Sequence, residues 1–124
     1  MGSESFDRVH ERERERRRRE AQDAAQKRLV SKAQRIANQV IKHILTDYEP
    51  KEIYQAGSLV DSARFTEISD IDIAVRGLSP EEIEEIEEWA EEKSSFPVDL
   101  IDLDRAEDVH VTSVESEGRR VYPE

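Results

Sequence analysis

Residues Gly57 to Val75 read GSLVDSARFTEISDIDIAV, and the final third of that stretch decides how the chain folds. Ile71, Ile73 and Val75 alternate with Asp70, Asp72 and Ala74, which is the two-residue period of an extended strand with one apolar face. Asp70 and Asp72 therefore leave the same face, their Cα atoms roughly 6.5 Å apart. Two carboxylates held that close raise one another's pKa unless a positive charge sits between them. A divalent cation meets that need, and magnesium is usually held by one or two carboxylates together with substrate phosphates. In a chain with 30 acidic residues, an Asp-x-Asp is also often just a solvated face, so the surroundings have to decide.

Working outward, Gly57 and Ser58 follow the apolar run Ile53, Tyr54, Gln55, Ala56, where a strand ends and a turn or helix begins. Glycine there lets the backbone approach a phosphate closely while free N–H groups point at it. Downstream, Phe96 to Leu103 reads FPVDLIDL, an apolar strand interrupted by Asp99. A third acid entering from a neighbouring strand is what a two-metal site needs.

In combination these motifs resemble the minimal nucleotidyltransferase (MNT) domains of the polymerase-beta-like superfamily: Gly-Ser, about ten residues, Asp-x-Asp, then a third Asp on a later strand. The resemblance spans roughly Glu52 to Tyr122. It implies an α+β nucleotidyltransferase fold, a small mixed sheet flanked by helices. It also implies that Asp70, Asp72 and Asp99 bind two Mg²⁺ ions and carry catalysis, Asp99 acting as the base. Gly57, Ser58, Arg64 and Ser69 would bind the nucleotide, ATP, as substrate. The GSLV and SDIDIAV wording is similar to that of antitoxins of HEPN/MNT toxin-antitoxin modules. Members of that group transfer AMP to a tyrosine of a HEPN ribonuclease toxin and form a stable complex with it. Eleven residues rather than ten separate Ser58 from Asp70, and Ala63-Arg64-Phe65 stands where the family usually has Ala-Arg-Gly. Two rival expectations remain open. One is a non-catalytic interaction protein on the same fold. The other is a transferase with a small-molecule acceptor, whose relatives normally carry a second helical domain for which this chain has no room.

Composition narrows the setting. A chain of 124 residues, 35% hydrophobic and 40% charged, makes one domain with a modest core. Its net charge of −11 argues against a general nucleic-acid surface, because phosphate backbones demand clustered Lys and Arg. Absence of cysteine removes disulfides and thiolate metal sites and fits a reducing compartment. No apolar run approaches the ~20 residues that span a bilayer. The expectation is a cytoplasmic protein without membrane attachment. Gly2 would suit N-myristoylation, but Phe6 stands where Ser or Thr is wanted.

The flanks read more simply. Residues 1–20 form a charged extension whose basic block is Arg16 to Arg19, a solvated face or an arm that touches an acidic partner. From Ala21 onward Leu29, Ala33, Ile36, Val40 and Ile44 recur at helical spacing, with Val30, Ala37, Ile41, Leu45 and Tyr48 widening the stripe. This helix opens the domain of residues 21–124 and ends before Pro50. If the charged segment continues it, about forty residues form one helix and its front half projects. His43 reads as structural or solvated. Ser79, Pro80 and Glu82 spell a capping box before a helix that buries Ile83, Ile86, Trp89 and Ala90. Residues 104–117 are ambiguous, with a helix ending at Gly118 as one reading, and Arg119 to Tyr122 reads as a strand. No partner for His110 is evident.

Overall fold

The computed structural model describes residues 2–124, with side chains described from Asp7 onward. The side chains of Gly2 and Phe6, considered above for acylation, lie outside the described residues. Helix α1 (Gly2–Asp47) leads into strand β1 (Glu52–Ala56), two short 3₁₀ turns at Gly57–Leu59 and Ser62–Arg64, and strand β2 (Ile71–Arg76). Helix α2 (Pro80–Lys93), strand β3 (Val98–Asp102), helix α3 (Asp108–Glu117) and strand β4 (Arg119–Tyr122) complete the chain. This is the expected α+β architecture.

The four strands form one mixed sheet in the order β3-β2-β1-β4. β1 runs antiparallel to both β2 and β4, whereas β2 and β3 are parallel and joined through α2. The helix of that β-α-β crossover begins at the capping box. The Ser79 hydroxyl accepts from the Glu82 N–H at 3.1 Å, and the Glu82 carboxylate accepts from the Ser79 N–H at 2.9 Å. Both otherwise orphaned donors at the helix start are thereby satisfied.

Alternation along β2 sets the two layers. Ile71, Ile73 and Val75 are fully buried in the main core with Ala33, Ala37, Val40 and Ile44 of α1 and Ile86 and Ala90 of α2. Burying each of those β2 side chains is worth roughly 1.5–3 kcal/mol. Among the described residues, the opposite face of the sheet is covered by α3 and Leu103, through a smaller cluster of Tyr54, Ala56, Ala74, Leu103 and Val114. Asp72 lies on that thinly covered face.

α1 is continuous for 46 residues, roughly 69 Å at 1.5 Å per residue. No break falls between residues 20 and 21. Its side chains from Asp7 to Ala25 are exposed apart from His10, so the front half projects. Gln26 marks where the helix meets the domain: its amide donates to the carbonyls of Ser62 at 2.8 Å and Phe65 at 2.7 Å. The projecting half therefore leaves from the end of the domain that carries the loop between β1 and β2. One stripe position departs from expectation, since Leu45 is 42% exposed on the far edge of the helix. His43 is structural, stacked on Trp89 with ring centroids 3.9 Å apart and with Nδ1 3.2 Å from the Asp47 carboxylate.

Candidate active site

Parallel pairing of β2 and β3 sets Asp72 directly opposite Asp99. Register partners on neighbouring parallel strands share a face and lie roughly 4.8 Å apart, so two of the three acids meet through the sheet itself. Asp70 sits one residue before β2 begins and is exposed, near enough for its charge to act on Asp72. The Asp72 carboxyl is strongly perturbed. Burial pushes its carboxyl up to about 6, the charges of Asp99 and then Asp70 add to the rise, and His110 opposes it. Glu87 of α2 is also raised, by burial first and then by the charges of Asp99 and Glu84.

The glycine-serine corner is held against this carboxylate. Ala56, the last residue of β1, pairs with Asp72, so Gly57 begins its turn beside that side chain. Gly57 has φ +68°, and a Cβ placed on it would stand 2.1 Å from Asp72 Oδ2. Only glycine satisfies both the left-handed backbone and the close approach. Gly57, Ser58, Asp61, Arg64 and Asp72 line one cleft of about 440 Å³, whose opposite wall is α3. Four of the sequence-derived site residues thus converge. Asp70, Asp99 and Ser69 are not among the lining residues; the Ser69 hydroxyl accepts from the Thr66 N–H at 2.9 Å, closing the turn that delivers Asp70.

Among the described residues, no group of three or more Asp, Glu or His side chains stands close enough together to hold a metal ion unaided. The donor set nevertheless suits one. Oxygen-only ligands match magnesium, which takes its remaining ligands from water and substrate phosphates rather than from an all-protein cage. The raised Asp72 pKa marks carboxylates that a cation would relieve.

α3 contributes residues that the sequence did not reveal as part of the site. His110, Ser113 and Glu117 all line the cleft. Their spacing of three and then four residues places them on one helical face. The helix is anchored by buried Val114 and by Gly118, where a Cβ would stand 2.5 Å from the Val114 carbonyl oxygen and 2.8 Å from that of Gln55. The only signal for it in the sequence was that spacing, which means nothing until α3 is known to lie over the acid-bearing face.

A parallel βαβ unit carrying paired acids, with a glycine corner against one of them, fits the nucleotidyltransferase fold. The model of the family "Polymerase beta, Nucleotidyltransferase" matches residues 39–124, and the chain belongs to that family. Among solved structures, the chain is similar to a toxin-antitoxin crystallised with AMP-PNP, at 30% identity and TM-score 0.56, covering 68% of this chain and 71% of that one. It is also similar to the toxin-antitoxin MntA-HepT, at 27% identity and TM-score 0.55, covering 72% of this chain and 71% of that one. A mutant of that complex aligns at 29% identity and TM-score 0.58, covering 69% of this chain and 71% of that one. The comparison with curated proteins finds no match. No helix among the described residues is long and apolar enough to cross a membrane.

Proposed function

We propose that this protein is the antitoxin of a toxin-antitoxin pair and transfers AMP from ATP to a hydroxyl, a tyrosine, of a HEPN ribonuclease toxin. The observation that carries the reading is the meeting of Asp72 with Asp99 across parallel strands, beside a glycine that tolerates no side chain. The likeness to MntA-HepT, and to a toxin-antitoxin with AMP-PNP, supports the choice of nucleotide and partner.

In this reading Asp70, Asp72 and Asp99 would hold two Mg²⁺ ions, which would supply charge neutralisation for the triphosphate. Gly57 and Ser58 present backbone N–H groups to the β- and γ-phosphates, and Arg64 reaches the same groups from the neighbouring turn. Ser69 assists by fixing the turn in which Asp70 enters. Asp99 takes the proton of the acceptor hydroxyl. Catalysis is then positioning and charge neutralisation, which a shallow cleft supplies when the acceptor protein closes it. The reaction belongs in the cytoplasm, with no membrane and no bound nucleic acid.

The test is transfer of label from α-³²P-ATP to a purified HEPN-type toxin in the presence of Mg²⁺. Label on a toxin tyrosine, lost when Asp72 is replaced by Asn, supports the reading. Tight complex formation without label in any nucleotide would reject it in favour of neutralisation by binding alone.

A further inference from the structure

The cleft has to accept a triphosphate, yet Asp61, Asp72 and Glu117 make much of its lining acidic. Among its lining residues only two side chains can bring positive charge or a strong N–H donor to a phosphate, Arg64 and His110. They occupy different walls. Arg64 belongs to the turn that follows Gly57 and Ser58, so its reach is toward the β- and γ-phosphates. His110 enters from α3 and faces Asp72 across the same cleft. Val114 and Gly118 clamp the helix to the sheet, so this wall is preformed.

We propose that His110 is a further catalytic residue, donating an imidazole N–H to a non-bridging oxygen of the α-phosphate. The assignment rests on the nucleotidyl-transfer reading above, which puts the reacting phosphorus where Asp72 meets Asp99. In that step the acceptor oxygen forms a bond to the α-phosphorus and its proton passes to Asp99. The bond to the β-phosphate oxygen breaks, and its electron pair leaves with pyrophosphate. Negative charge gathers on the non-bridging oxygens as this happens, and a fixed donor there stabilises it. Arg64, on the turn that follows Gly57 and Ser58, is assigned to the leaving group.

The experiment uses the full chain with Mg²⁺ and two probes. One is α,β-methylene-ATP, which carries an α-phosphate but cannot release pyrophosphate; the other is pyrophosphate, which fills only the β/γ grip. His110→Ala should bind α,β-methylene-ATP about tenfold more weakly, the worth of one hydrogen bond to a charged group, and pyrophosphate unchanged. His110→Gln, which keeps a donor, should recover most of that loss. In proton spectra the imidazole signals that vanish in His110→Ala should move on addition of α,β-methylene-ATP and stay still with pyrophosphate. Binding that is equal in wild type and His110→Ala, with those signals unmoved, overturns the role of His110 and leaves the transferase reading standing. Failure of the wild-type protein to bind either probe overturns both.

Discussion

Replacing Asp72 by Asn separates the stability of this protein from its function. A carboxyl raised from 3.8 to about 6 is held less comfortably as an anion in the folded chain than in the unfolded one. The folded state therefore binds more protons between those values, and stability falls as pH rises through the window from about 4 to about 6. At 1.36 kcal/mol for each factor of ten, the ceiling on that loss is about 3 kcal/mol. Asp72 is only half-buried and solvent screens its neighbours, so about 1–2 kcal/mol is the expected loss at neutral pH. Asn keeps the shape and discards the charge. Urea unfolding without metal should show Asp72→Asn equal to wild type near pH 3.5 and about 1–2 kcal/mol more stable at pH 7.5. Millimolar Mg²⁺ with AMP-PNP should stabilise the wild type and leave the variant unmoved, because ligand binding to the folded state adds to its stability. A variant that is less stable than wild type at pH 7.5, or whose advantage does not change with pH, would refute the buried, like-charged setting of Asp72 on which the site is built.

Three other perturbations probe the frame around those acids. Gly57→Ala should cost about 1–2 kcal/mol from its left-handed backbone and, by displacing the Asp72 carboxylate, abolish Mg²⁺-dependent AMP-PNP binding in calorimetry. Ser79→Ala removes one half of the capping box at the start of α2 and should lower stability by about 1 kcal/mol, read as a fall of about 3–5 °C in Tm. Removal of residues 1–20 should leave the Tm and nucleotide affinity of the domain within error while weakening its complex with the partner protein. A truncated chain that no longer folds would contradict the reading of that segment as an arm.

Much of this protein was legible in its letters because the deciding interactions are local. Alternation from Ile71 to Val75 requires a strand with one buried face, and Ser79, Pro80 and Glu82 require a helix start, whatever surrounds them. The charged run before Ala21 has no apolar stripe, so its projection from the domain followed from composition and helical period alone. What the sequence offered only as an expectation, a third acid on a neighbouring strand, was decided by the sheet. Only the parallel register of β2 and β3 sets Asp99 opposite Asp72, and only the pairing of Ala56 with Asp72 brings Gly57 against its carboxylate. The raised Asp72 pKa and the arrival of His110 belong to the same class of fact. Charge interactions and burial depend on separation through space, and residues 72, 99 and 110 became neighbours only when α2 crossed the sheet and α3 lay down on its open face.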